Sequence, residues 1–340
     1  MNTQDIYILG IESSCDDTAA SIIYNGKILS NVVASQEIHK EYGGVVPELA
    51  SRAHQQNIVP VVHQALIKAD IDKTQLSAIA FTRGPGLMGS LLVGTSFAKS
   101  LAYGLNIPLI DVNHMQAHIL AHFIDEEGFD KPKFPFLAMT ISGGHTQIVK
   151  VNSYFNMTVI GETIDDAVGE AYDKSGKVLG LGYPAGPEID KLAQTGNPKA
   201  FSFTKPKVKG LNFSFSGLKT AILYFVQKQV KEHPEFIKDN LNDICASIQY
   251  TIIGILIDKL KLASKETRIK HIAIGGGVSA NSGIRKALKE GEQKFGWTTY
   301  IPKFEFTTDN AAMIAIVGYL KYLENDFAEE GITASARLKI

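Results

Sequence analysis

Phe136-Leu137-Ala138-Met139-Thr140-Ile141-Ser142-Gly143-Gly144-His145-Thr146-Gln147-Ile148-Val149-Lys150-Val151 is an apolar run, a Ser/Gly turn and a second apolar run. β-branched and aromatic residues around such a turn predict strand, turn, strand. The layout repeats one near the start of the chain. There, Ile6–Gly10 flows through Ile11-Glu12-Ser13-Ser14-Cys15-Asp16-Asp17-Thr18 into Ala19-Ala20-Ser21-Ile22-Ile23-Tyr24, and Asn25-Gly26 supplies a further tight turn. Two such hairpins predict an internal duplication: an α/β chain of two lobes, with a ligand met by a polar tip from each. The acidic stretch Asp125 to Lys133, closed by Pro132 and Pro135, marks the boundary. The expected division is an N-terminal lobe over 1–132, a C-terminal lobe over 133–320, and a terminal helix at about 321–340 packing back on the first.

A chain of 340 residues, 45% of them hydrophobic, is ample for a sizeable core. Met1-Asn2-Thr3-Gln4-Asp5 has no basic n-region, and no run of apolar residues reaches the length of a bilayer span. A soluble, cytoplasmic protein without membrane attachment is expected. Cys15 and Cys245, the only cysteines, lie far apart, which excludes a disulfide framework and a thiolate zinc cluster. Any metal must use histidine and carboxylate ligands. A formal net charge of -1 gives no general pull toward polyanions, so nucleic-acid binding needs a local basic patch or partner proteins.

His114 and His118 stand four apart in Asn113-His114-Met115-Gln116-Ala117-His118-Ile119-Leu120-Ala121-His122, where nothing breaks a helix. Both imidazoles then share one face, as a metal requires, although a structural pair has the same spacing. Asp309, in Thr308-Asp309-Asn310-Ala311, reads as a helix N-cap and is also the best third ligand. Two histidines and a carboxylate leave coordination positions open.

The remaining stretches each carry two readings. A helix from about Glu48 to Lys68 pairs Glu48 with Arg52 and is kinked or divided by Pro60. Leu76–Phe81 is a strand running into Thr82-Arg83-Gly84-Pro85-Gly86, a loop for an anion or for close packing, before a helix from Leu91 to Gly104. Ser142-Gly143-Gly144 is bare enough for phosphate oxygens, or is a plain turn. Glu162–Lys174 reads as a helix with an acidic face, and Gly180–Asp190 as a loop re-entering a helix. Phe201–Thr220 mixes Lys205, Lys207, Lys209 and Lys219 with Phe201, Phe203, Phe213 and Phe215, which fits a nucleic-acid track or an amphipathic hairpin with buried rings. Ile244–Ala263 looks like a core helix. His271–Ile274 enters Gly275-Gly276-Gly277, where a flat base can meet bare backbone.

Together the motifs GIESSCDDT (10–18), GGVVPELASRAH (43–54), RGPGLMGSL (83–91), HMQAH (114–118), SGGHT (142–146), DDAVGEAYDK (165–174), FSFSGLK (213–219), GGGVSAN (275–281) and TDNAAMIA (308–315) closely resemble one family. It is the tRNA N6-adenosine threonylcarbamoyltransferase family, the threonylcarbamoyladenosine biosynthesis proteins long mistaken for O-sialoglycoprotein endopeptidases. The resemblance implies the two-lobed actin, sugar-kinase and Hsp70-like (ASKHA) fold, with ribonuclease-H-like lobes and a central ligand cleft. It implies transfer of threonylcarbamoyl from threonylcarbamoyl-AMP to the adenosine 3′ of the anticodon. It makes His114, His118 and Asp309 the ligands of one iron or zinc ion, and puts the adenylate, or ATP or ADP, on Thr140, Ile141, Ser142, Gly143, Gly144, Asp173, Gly186, Asp190 and Asn281. Asp16 and Asp17 become the candidate catalytic acids. The partners implied are tRNA, a smaller paralogue of the same fold and a P-loop ATPase. Ala185, Thr307 and Asp17 depart from the usual glycine, cysteine and glutamate. The rival readings are a metalloprotease, which lacks its base because Met115 follows His114, and an ATP-dependent switch or chaperone.

Overall fold

The computed structural model describes residues 5–340, with Lys40 described by its backbone alone. Met1–Gln4, part of the segment lacking a basic n-region, lie outside the described residues. Contacts divide the chain into one unit that runs to Lys131 and includes Pro302–Ile340, and a second unit of Pro132–Ile301.

In the first unit β1 (Tyr7–Glu12) and β2 (Thr18–Tyr24) form the expected hairpin. Asn25 and Gly26, both with positive φ, turn β2 directly into β3 (Lys27–Ala34). The short α1 (His39–Tyr42) precedes α2 (Pro47–Ala69), which runs unbroken through Pro60. The expected division does not occur. Ala50, His54 and Ile58 before the proline and Val61, Val62 and Ala65 after it form one buried stripe, while Pro60 itself faces outward. Packing of that stripe on the sheet holds the helix together. Then follow β4 (Ala78–Gly84), α3 (Met88–Leu105), β5 (Leu109–Asn113) and the seven-residue α4 (His114–Leu120). The sheet order is β3-β2-β1-β4-β5, with β1, β4 and β5 parallel.

The second unit opens with the meander β6 (Phe136–Ile141), β7 (Thr146–Val151) and β8 (Met157–Glu162). The helix expected from Glu162 begins only at Val168. Glu162 ends β8, and Thr163 turns the chain by donating from its hydroxyl to Asp166 O at 2.7 Å. Next come α5 (Val168–Leu179), α6 (Gly186–Ala193), α7 (Ser216–Glu232), α8 (Phe236–Thr267), β9 (His271–Gly275), α9 (Ser282–Phe295) and β10 (Thr298–Tyr300). Its sheet order, β10-β9-β6-β7-β8, is that of the first unit read from the other end, so the duplication holds at the level of topology. Among the described residues α8 is long and apolar enough to cross a membrane, but Ile244, Ile248, Ile252, Leu256 and Leu260 are fully buried in this unit's core.

Residues 201–215 contain no strand. Phe203, Phe213 and Phe215 are buried core residues, while Lys205 pairs with Asp258 and Lys259 donates to Val208 O. The amphipathic hairpin is therefore replaced by a loop whose rings anchor it. Asp165 fixes its far end, accepting from Phe215 N at 2.8 Å and from the hydroxyls of Ser214 and Ser216.

The chain rejoins the first unit at Pro302, earlier than the expected 321, because α10 (Ala311–Leu323) packs across β1, β2 and β4. Gly10 permits the approach: a Cβ there would lie 2.6 Å from both Ala311 O and Ala315 N. That contact brings the start of α10 to the end of β1, and Asp309 with it.

Candidate metal centre and adenylate-binding residues

The end of β5 flows straight into α4. Asn113 Oδ1 accepts from Met115 N at 2.9 Å and Gln116 N at 3.2 Å, so the helix starts at His114. His114 and His118 then lie one turn apart, edge to face, with ring centroids separated by 4.7 Å. Asp309 completes the group, with Oδ1 3.3 Å from His118 Nε2 and 3.5 Å from His114 Nε2. It is not the N-cap of α10. Asn310 takes that role, accepting from Met313 N at 3.1 Å, and leaves the Asp309 carboxylate free to turn toward the histidines.

His118 supplies the test of whether a cation fits. It is 1% exposed, and among the described residues neither ring nitrogen has a hydrogen-bond partner, since the approach to Asp309 is not aligned for one. A buried nitrogen left so costs about 1–3 kcal/mol, which a ligated ion would offset. The three ligand atoms lie within 4.8 Å of one another, and 26% of the Asp309 side chain stays open. Two imidazoles and one carboxylate form a donor set for iron(II) or zinc(II) with room for substrate. The residues fit such an ion.

Glu12, in sequence one of several acids at the hairpin tip, is placed to orient His114. It is fully buried at the end of β1, accepts from Ser14 N and from Thr82 Oγ1 at 2.7 Å, and lies 3.0 Å from His114 Nδ1. Ser14 Oγ is 3.2 Å from the same nitrogen. A proton on Nδ1 between these groups leaves the Nε2 lone pair directed at the candidate metal position beside Asp309. Burial alone would raise the Glu12 carboxyl, but the His114 charge and hydrogen bond bring it below its ordinary value. Burial likewise disfavours the His114 imidazolium, yet Glu12 and Asp309 outweigh it and hold the ring well above the usual histidine range in the metal-free protein. Despite burial, the two histidines hold Asp309 far below the carboxylate range.

The acidic tip is pinned. Buried His54 of α2 bridges Thr18 Oγ1 at 2.7 Å and Cys15 O at 3.0 Å, and Ser90 Oγ donates to the same carbonyl. Burial pushes the Asp17 carboxyl up to about 7, opposed by a hydrogen bond from Ser35 and reinforced by Asp309, Asp16 and Glu12. The Gly84-Pro85-Gly86 loop serves close packing: Leu87 N donates to Ser14 O at 2.7 Å.

In the second unit the predicted adenylate residues fall into three groups. Ser142, Gly143 and Gly144 form the β6–β7 turn, both glycines exposed with open space over their Cα atoms. The first turn of α5 presses on this loop through Gly169, where a Cβ would lie 2.7 Å from Ser142 O, so a helix N-terminus backs it. Buried Thr140 Oγ1 has no partner among the described residues, and Ile141 is buried beside it. Asp173 accepts from Ala185 N at 2.8 Å, next to Gly186 at the start of α6; burial raises its carboxyl. Asp190 accepts from Ser282 N and Oγ, both at 2.8 Å, and from Gln249 Nε2 at 3.0 Å, while Asn281 Nδ2 donates to Gln249 Oε1 at 2.7 Å. Gln249, which ties α6, α8 and α9 together, was hidden in a helix that reads as core. Ala185 keeps ordinary helical φ and ψ, and Gly176 leaves room for its methyl; Thr307 is buried and donates to Phe304 O.

Two α/β units of one topology define a chain of the actin, sugar-kinase and Hsp70 class. HypF from T. kodakarensis superposes with a TM-score of 0.61 at 14% identity, covering 98% of this chain and 51% of that one. Component A of the (R)-2-hydroxyglutaryl-CoA dehydratase of Acidaminococcus fermentans gives 0.55 at 16%, covering 94% and 99%. Such likenesses concern the fold alone. The profile of the tRNA N6-adenosine threonylcarbamoyltransferase family matches residues 27–316. Proteins of that name from Christiangramia forsetii and Porphyromonas gingivalis are 75% and 57% identical over 339 residues, covering 100% of both chains in the first case and 99% in the second. The chain belongs to this family.

Proposed function

We propose that this protein transfers the threonylcarbamoyl group of threonylcarbamoyl-AMP to the N6 amine of the adenosine 3′ of the anticodon, in tRNAs reading codons that begin with A. The family match across residues 27–316 carries the reading. His114, His118 and Asp309 hold one divalent ion, iron(II) in this proposal with zinc(II) the alternative. Thr140, Ile141, the turn Ser142–Gly144, Asp173, Gly186, Asp190 and Asn281 bind the adenylate, a role that rests on the family resemblance and suits the exposed turn at the start of α5.

The N6 amine attacks the carbamoyl carbon, the new N–C bond forms, the C–O bond to phosphate breaks, and AMP leaves with the electron pair. The amine must also lose a proton. Asp17, whose carboxyl burial pushes up to about 7, is suited to accept it at neutral pH and pass it to solvent. When bound, the ion supplies positive charge to an oxygen of the acyl donor. Glu12 keeps His114 in the ligating tautomer, and Asn113 fixes the helix that carries both rings. The acyl phosphate is already activated, so positioning contributes much of the acceleration.

A near-neutral chain exerts no general pull on polyanionic tRNA, which supports shared binding with a smaller paralogue and a P-loop ATPase in the cytoplasm. A protease reading lacks its base, because Met115 is a buried apolar residue. The test is transfer from preformed threonylcarbamoyl-AMP to unmodified tRNA with partner proteins present. Chelation abolishes product and a divalent ion restores it; full transfer by metal-free protein overturns the metal's role.

A further inference from the structure

The segment that follows α10 carries no regular structure, yet it is tied along the first unit. Ala328 N donates to Leu109 O at 2.8 Å, and Lys99 Nζ donates to Glu330 O and Ile332 O at 2.7 and 3.0 Å. Further on, Arg83 Nε donates to Thr333 O at 3.2 Å, Ser335 N donates to Arg83 O at 2.8 Å, and Gly86 N donates to Ala336 O at 3.3 Å. Gly84 is required at this crossing: its φ is +152°, and a Cβ there would lie 1.9 Å from Ser335 O. Last, Asn113 Nδ2 donates to Lys339 O at 2.9 Å.

Both ends of this path reach the histidines. Asn113 is the cap of α4, and with its Nδ2 held by Lys339 O, its Oδ1 can only face the amides of Met115 and Gln116. The Gly84–Leu87 loop, clamped from outside by Ser335 and Ala336, is bonded from inside to Ser14, whose hydroxyl meets His114 Nδ1 at 3.2 Å. We propose that residues 333–339 form a strap that positions the histidine helix for its metal. Asn113 and Ser14 are the two positioning residues through which it acts. The inference rests on the metal reading of His114, His118 and Asp309.

The test compares the full chain with a version ending at Ala334, with Ser335→Pro, which lacks the N–H given to Arg83 O, and with Ser335→Ala, which keeps it. Zinc(II) alone is the probe, titrated against a chromophoric chelator, and backbone hydrogen exchange of the metal-free proteins is followed at Met115 and Gln116. Removing a group that orients a metal ligand typically weakens binding about tenfold or more. The shortened chain and Ser335→Pro should lose that much affinity and exchange faster at both amides, with α9 exchange unchanged and Ser335→Ala like wild type. Wild-type affinity and exchange in Ser335→Pro overturn the proposal, and that variant is decisive if the shortened chain does not fold. Equal zinc binding by wild type and His118→Ala removes the metal reading separately. The exchange rates then decide the strap alone: faster supports it, unchanged ends it.

Discussion

Replacing Glu12 by glutamine keeps the shape of a buried side chain while changing the proton arithmetic around His114. The carboxylate accepts from Ser14 N and Thr82 Oγ1 and faces His114 Nδ1 at 3.0 Å. Glutamine must put an NH2 in one of these places. Turned toward His114, it donates to Nδ1 and drives the ring proton onto Nε2, where the metal needs a lone pair. Turned toward Ser14, it sets a donor against a backbone N–H and leaves that buried group unpaired, a loss of about 1–3 kcal/mol. Since the ligating tautomer is then reached only at the cost of the unpaired Ser14 N–H, metal binding should weaken by about 10–100-fold on the scale of orienting groups, or about 1.4–2.7 kcal/mol at 1.36 kcal/mol per tenfold. Competition titration of the metal-free variant near neutral pH measures the change, with thermal unfolding as control for the fold. Unchanged affinity in Glu12→Gln would refute the role of the carboxylate in setting the tautomer.

Gly10→Ala forces a methyl against Ala311 O and Ala315 N, both 2.6 Å away on helix backbone; overpacking of this kind costs about 1–3 kcal/mol, and denaturant unfolding should show at least that loss together with weaker metal binding as Asp309 shifts. Asp17→Asn should stabilise the metal-free protein above neutral pH: the folded carboxyl titrates near 7 against 3.8 for an ordinary aspartate, so the folded state holds the extra proton, and the wild-type penalty accumulates between those values and stays constant above them. Melting curves across pH check it, and a constant difference at every pH contradicts it. The same variant should slow transfer from preformed adenylate, and a wild-type rate removes Asp17 as proton acceptor. Because Glu12 and Asp309 hold a proton on His114, metal binding should release one; in the metal-free chain the stabilisation from charged His114 is complete below the ordinary value of 6.5 and is lost as pH rises through the higher folded value. Calorimetry in buffers of different ionisation enthalpy reads that proton directly. Asp190→Ala frees Ser282 N and Gln249 together, so AMP affinity should fall without change in metal binding.

The duplicated hairpins were legible because each pairs an apolar alternation with a tight polar turn, a local signal that tertiary context did not override. The histidine pair was legible for the same reason, since Asn113 is a strong cap and nothing after it breaks a helix. The ligating role proposed for it was not, because spacing alone cannot tell a metal pair from a structural one; the unpaired nitrogens of His118 and the turn of Asp309 away from the α10 cap appear only in three dimensions. Glu12 was overlooked among neighbouring acids, although a charged residue closing a strand of buried apolar positions is the signal that would have found it. Gln249, a lone amide within the apolar helix 244–263, carried a similar hint. The loop over 201–215 misled because its phenylalanines alternate like a strand, whereas they are spaced to fill the core around α7 and α8.

Threonylcarbamoyl transfer is proposed to depend on an ion held by His114, His118 and Asp309. Nucleoside mass spectrometry of unmodified tRNA, incubated with partner proteins, preformed threonylcarbamoyl-AMP and either metal-loaded wild type or Asp309→Asn, tests it most directly. Wild type should yield threonylcarbamoyladenosine, while Asp309→Asn, folded but unable to retain the ion, should yield almost none. Equal product from the two would show that transfer does not need the ion.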